Sequence, residues 1–117
     1  MEVFRLKKLE FIIKPERLED VKEVLNDLDI KGMTVTMVSG CGTQKGKQET
    51  YRGVTYHINL LPKIKVETVV KDEQAAVLTE EIMTRLRTGN IGDGKIFIYD
   101  VGGIVRIRTG ERDENAI

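Results

Sequence analysis

Along this chain the hydrophobic period changes from two to a spacing of three and four, and back again, twice. That alternation constrains the fold more than any single motif. Leu9, Phe11 and Ile13 alternate with Lys8, Glu10 and Ile12 ahead of Pro15, which predicts a half-buried first strand. Pro15 suits the first turn of a helix, and Leu18, Val21, Val24, Leu25 and Leu28 follow at helical spacing until Gly32 stops the run. Met33 to Ser39 alternates again as a second strand. Ile58 to Val70 is rich in β-branched residues, with Ile64, Val66, Thr68 and Val70 on one face and Pro62 marking a bend or an edge. Asp72 is placed to cap a second helix carrying Ala75, Leu78, Ile82 and Leu86, running to about Thr88 before Gly89 and Asn90. Lys95 to Val101 reads as a fourth strand. The Gly102-Gly103 pair then offers a tight hairpin to a short fifth strand, Ile104 to Arg108.

The order β-α-β followed by β-α-β, with no composition break, predicts one α+β domain over residues 1–117. Its expected form is a ferredoxin-like sandwich, an antiparallel four-stranded sheet with two helices on one face, elaborated by the C-terminal hairpin strand. The helices leave the second sheet face uncovered although the strands carry apolar residues on both sides, and oligomerisation is the natural cover.

Charge excludes some partners. The 19 basic and 19 acidic residues cancel, so nothing in the overall balance draws the chain to nucleic acid or to an anionic membrane. No stretch approaches the roughly 20 apolar residues of a membrane span. The single cysteine, Cys41, leaves no disulfide framework or Cys cluster for zinc, and a reducing, cytoplasmic setting follows. His57 is the only histidine and stands at a loop-to-strand junction, where a structural role outweighs that of a proton shuttle. HExxH, paired-cysteine and GxSxG motifs are absent. Binding is favoured over turnover.

Three features carry chemistry. From about Cys41 to Tyr56, roughly 16 residues show no hydrophobic period, and loops of this length in a small domain are usually functional or disordered. Glycines and the cations Lys45, Lys47 and Arg52 make this segment pliant and positive. Next, Gly92-Asp93-Gly94-Lys95 sets two glycines and a lysine before the fourth strand, a pattern that exposes main-chain N–H groups to an anion but lacks P-loop spacing. Last, Arg106 and Arg108 share one face of the expected fifth strand, and the preceding hairpin would fold them back beside Lys95 to suit a polyphosphate.

The same stretches resemble the PII family of nitrogen signal-transduction proteins. Thr88-Gly89-Asn90-Ile91-Gly92-Asp93-Gly94-Lys95-Ile96-Phe97 looks like its C-terminal signature, and Tyr51-Arg52-Gly53-Val54-Thr55-Tyr56 resembles its loop motif. The likeness extends from Ile13-Lys14-Pro15 through Gly32-Met33-Thr34-Val35-Thr36 and Leu61-Pro62-Lys63 to Arg106-Ile107-Arg108-Thr109-Gly110-Glu111.

The resemblance implies a homotrimer with ATP or ADP bound in clefts between subunits and a projecting T-loop, here about residues 41–57. It implies that Gly92, Asp93, Gly94 and Lys95 hold the phosphates, joined by Arg106 and Arg108 across the subunit boundary. Thr34 would lie near the adenine and Gly42 would add a main-chain donor. Gln44 would ligate magnesium shared with 2-oxoglutarate, and Lys63 would pair with a carboxylate of that acid. Arg52 matches the arginine that enters an ammonium transporter, the other implied targets being nitrogen-assimilation enzymes and regulators; recruitment to a membrane would run through such a target, not through insertion. Tyr56 matches a tyrosine nucleotidylated in some branches. Thr43 departs from the family, standing where many members carry arginine after the loop-base glycine. Two alternatives stay open: an energy sensor binding ATP or ADP without a 2-oxoglutarate response, and a small phosphohydrolase on the same fold. The latter is opposed by Pro15, which lacks an N–H where that chemistry needs an anion cradle. An RNA-binding module is opposed by the scarcity of aromatics.

Overall fold

Alternation in the first segment and β-branched side chains in the central one produce two long neighbouring strands, β1 (Leu6–Ile13) and β5 (Leu61–Lys71). The structure, a computed structural model, describes residues 5–41, 49–51, 54–56 and 60–117. Outside this central pair lie β2 (Thr34–Gly40) and β6 (Lys95–Val101), giving an antiparallel sheet in the order β2-β5-β1-β6. Register pairs Phe11 with Val66 on one side and Ile96 on the other. Helices α1 (Leu18–Asp27, entered through a 3-10 turn at Pro15–Arg17) and α2 (Asp72–Leu86) cover one face. This is the expected ferredoxin-like arrangement. Leu9, Phe11, Val21, Val24, Val66 and Leu78 are fully buried between the layers. Among the described residues no helix is long and apolar enough to cross a membrane.

Among the described residues one polar side chain joins this core. Thr68 is 3% exposed and its hydroxyl donates to the Gly32 main-chain oxygen at 2.5 Å, tying β5 to the segment that follows α1. Thr68→Val keeps the shape but leaves that carbonyl without its donor. We expect a loss of about 1 kcal/mol in urea unfolding, with unchanged m; an unchanged midpoint would show that water replaces the bond without cost.

Several expectations need correction. Residues 104–108 do not return as a fifth strand along β6. Ile104 donates to the Asp113 carboxylate and accepts from the Asp113 N–H, while the Arg106 N–H donates to the Glu111 carbonyl. The main-chain groups a return strand would offer to β6 are thus used locally, and the segment closes on itself through a Val105–Arg112 bridge. Helix α2 starts one residue earlier than a cap at Asp72 would require: Lys71 holds the cap position and its N–H donates to the Gln74 side chain at 3.0 Å. The helix ends at Leu86 and not at Thr88, because the Thr88 N–H turns to the Asp93 carboxylate. Inside the long polar interval, β3 (Glu49–Tyr51) and β4 (Val54–Tyr56) pair antiparallel as a two-stranded ribbon. The signal missed there was Gly53 between two short β-favouring runs.

The second sheet face is open and mixed in character. Lys8 pairs with Glu67 at 3.1 Å and lies over the Tyr99 ring, while Phe97 and Tyr99 are exposed beside them. The helices also fail to reach the sheet edges. Val35 and Met37 on β2 and Ile98 on β6 face the helix side yet stay exposed, Met37 at 85%.

Candidate functional site

The antiparallel register brings one end of the sheet together. Gly40 ends β2 opposite Leu61, Ile13 ends β1 opposite Ile64, and Lys95 opens β6 opposite Ile12. Gly40 touches the Lys63 side chain, since a methyl group there would lie 3.4 Å from its Cγ. Lys63 and Lys65 alternate with the buried Ile64 and Val66, and Ile12 with Ile13, so both lysines and Lys95 belong to the open face.

Over this end sits the turn linking α2 to β6. Its glycines take left-handed backbone angles, with φ of 99° at Gly92 and 108° at Gly94, conformations that side chains rarely adopt. Gly94 backs directly onto β1: a methyl group there would lie 2.2 Å from the Ile12 main-chain oxygen. Gly92 rests over Lys14, and a methyl group at Gly92 would lie 3.0 Å from Lys14 Cε and 3.5 Å from Nζ. Lys14 is the cation the sequence reading passed over. It was legible only as a lysine before a proline at a strand end, and nothing local announces that a turn some eighty residues on covers it.

The inside of the turn is organised by Asp93. Its Oδ2 accepts the N–H groups of Thr88 at 2.8 Å and Gly89 at 3.0 Å, and its Oδ1 accepts the Thr88 hydroxyl. The Thr88 oxygen in turn accepts the Asn90 N–H at 3.1 Å. Those bonds use the N–H groups of residues 88–90, while those from Ile91 to Gly94 take no part in them. The Thr88 hydroxyl, then the Thr88 main chain, hold the Asp93 carboxyl below its ordinary value, with the Gly89 N–H and Lys14 adding to this against partial desolvation. A lowered value means the bonds are present above the ordinary aspartate range and are lost only as pH falls through the lowered value. At neutral pH the turn is intact.

The other expected site residues are not all gathered here. Arg106 and Arg108 do not fold back beside Lys95. They follow the Val101 end of β6, about 20 Å along the strand from Lys95. Arg106 donates instead to the Glu111 carboxylate at 2.8 Å and to the Ile117 oxygen at 3.1 Å. Thr34 lies on β2, three strand spacings or about 14 Å across the sheet from β6. Gly42, Gln44, Arg52 and His57 lie outside the described residues, as does the side chain of Tyr56. Beside the turn a cleft of about 370 Å³ runs between α2 and β6, where apolar Ile82, Leu86, Ile96 and Ile98 meet Arg87 and the turn residues Asp93, Gly94 and Lys95.

A four-stranded antiparallel sheet with two helices on one face and a glycine turn at the head of an edge strand defines a small ferredoxin-like α+β domain. A family model described as Nitrogen regulatory protein P-II matches residues 6–111. The chain is 57% identical over 112 residues to Nitrogen regulatory protein P-II of Pasteurella multocida (strain Pm70), covering 96% of this chain and all of that one. It is 51% identical, with the same coverage, to Nitrogen regulatory protein P-II 1 of Escherichia coli (strain K12). Among solved structures it resembles GlnK of B. subtilis, with a TM-score of 0.80 and 36% identity over 97% of this chain and 99% of that one. Arabidopsis thaliana PII bound to citrate gives a TM-score of 0.77 and 36% identity, over 97% of this chain and 92% of that one. The chain belongs to the P-II family of nitrogen regulatory proteins, and with these relatives it is a signalling protein and not an enzyme.

Proposed function

We propose that the protein is a cytoplasmic homotrimeric sensor that binds ATP or ADP competitively, reads 2-oxoglutarate, and reports through residues 41–57 to a nitrogen-metabolism target. The observation that carries this reading is the turn at Gly92–Lys95: left-handed glycines, N–H groups left out of its internal bonds, and Lys14 and Lys95 alongside. Backbone N–H groups beside fixed cations suit the oxygens of a polyphosphate. For Asp93 only the main-chain N–H can serve as such a donor, because its carboxylate has no proton to give.

The placement of the other residues supports a shared cleft. Thr34 and the Arg106–Arg108 pair sit where Lys95 of the same chain cannot meet them, so a site containing all of them draws on neighbouring subunits. The open sheet face and the exposed apolar edges provide surface for such contacts. In this reading Gly42 adds a main-chain donor, Gln44 and the ligands' oxygens form a hard set suited to magnesium, and Lys63 takes a carboxylate of 2-oxoglutarate. The Arabidopsis relative holds citrate, another small polycarboxylate. If ATP with 2-oxoglutarate and ADP favour different conformations at the loop base, the ligand shifts which loop shape a partner meets. The partner is an ammonium transporter, a nitrogen-assimilation enzyme or a regulator, with Arg52 as a contact and Tyr56 as a candidate for nucleotidylation.

Calorimetric titration with ATP in magnesium buffer, with and without 2-oxoglutarate and again with ADP, tests this. Expected are ATP binding strengthened by 2-oxoglutarate, ADP competing without strengthening, and loss of the coupling in Gln44→Ala. Nucleotide binding without enhancement would favour the energy-sensor alternative, for which Thr43 is the sequence reason. Absence of nucleotide binding would refute the proposal.

A further inference from the structure

We infer that Asp93 and Thr88 are positioning residues: together they form an internal latch that sets the shape of the Gly92–Lys95 turn before any anion arrives, and neither side chain contacts the ligand. The inference rests on the reading that this turn receives phosphate oxygens. It assigns the aspartate of that turn a role different from holding phosphate.

The geometry is specific. One carboxylate collects two main-chain N–H groups and one hydroxyl, and that hydroxyl passes the connection on to a third N–H at Asn90. All four donors lie in residues 88–90, on the far side of the turn from Gly94. The carboxylate therefore ties the exit of α2 to the entrance of β6 across five residues. Between its ends stand Gly89 and Gly92, both with positive φ, and a chain of this kind without the tie has unusually many conformations to lose. A carboxylate also has no donor for a phosphate and repels it. Directed inward, its charge is balanced by the donors it gathers and by Lys14 beyond them. Thr88 supplies both a hydroxyl donor and an acceptor. Serine can replace it in that role and valine cannot.

The test uses the full chain. Amide hydrogen exchange without nucleotide should show residues 88–90 protected in the wild type and freed in Asp93→Asn, whose amide cannot accept from all the same donors. Calorimetry with magnesium ATP, and separately with inorganic tripolyphosphate, should show Asp93→Asn and Thr88→Val each weakening both ligands by about tenfold or more. Thr88→Ser should stay near wild type, and the double variant should be little worse than either single one, because the two groups act as a unit. Thermal midpoints within a few degrees of wild type would separate the effect from loss of fold. Equal exchange in wild type and Asp93→Asn would overturn the latch. Undiminished binding by Asp93→Asn with its amides freed would overturn its positioning role, as would strong loss in Asp93→Asn with none in Thr88→Val. If the wild type binds neither ATP nor tripolyphosphate, the functional reading fails and the positioning role with it, while exchange still reports whether the latch exists.

Discussion

Gly94→Ala is expected to abolish nucleotide binding while leaving the two-layer core assembled. The added methyl group would sit 2.2 Å from the Ile12 main-chain oxygen, against a backbone that cannot swing aside as a side-chain tip would. It would also occupy a φ of 108°, which disfavours any side chain. The combined strain is about 3 kcal/mol or more. The turn relieves it by lifting off the end of β1, which separates Lys95 from the donors on the turn. Since about 1.4 kcal/mol is a factor of ten, ATP affinity should fall by about a hundredfold or beyond. Gly102→Ala is the matched control, because nothing lies within 4 Å of its added methyl group and its φ is not positive. Calorimetry on both variants, with far-ultraviolet circular dichroism to follow the fold, makes the comparison. Wild-type affinity in Gly94→Ala would mean that the close approach to β1 plays no part in binding.

The largest effect on stability is expected at Phe11. It is fully buried, and its strand neighbours in the register are Val66 and Ile96. Truncation to alanine removes an aromatic ring from the middle of the layer and leaves a cavity that β1, held on both sides, cannot collapse to fill. The expected cost is about 3–5 kcal/mol, a large part of the roughly 5–15 kcal/mol that holds a domain folded. Val77→Ala, on the exposed side of α2, should change little. Urea unfolding at one fixed protein concentration is the measurement, because association would otherwise alter the apparent stability. A loss below about 1 kcal/mol at Phe11 would contradict a core organised around that ring.

The core was legible from periodicity because burial on one face is a local property of each element. Leu9, Phe11 and Ile13, then Val21, Val24 and Leu25, then Ile64, Val66 and Val70, and finally Leu78, Ile82 and Leu86, all lie where the alternation and the helical spacing put them. What periodicity could not reach were choices made between distant groups. Asp113 captures both main-chain groups of Ile104, so a segment that reads as a strand closes on itself. Asp93 competes for the Thr88 N–H and ends α2 early. The glycine turn was visible in the sequence, but its seat on Ile12 and Lys14 depends on β1 and β6 lying side by side, and no window of the sequence contains both.

Thr34 and Lys95 stand on opposite edges of one sheet, and this has a genetic consequence under the proposed assembly. A defect at Thr34 and a defect at Lys95 damage different halves of a cleft that two chains share. Two alleles carrying one defect each would then form some intact clefts in mixed trimers, whereas alleles damaged on the same edge would form none. Complementation between mutants would in this way report which edge each mutation strikes.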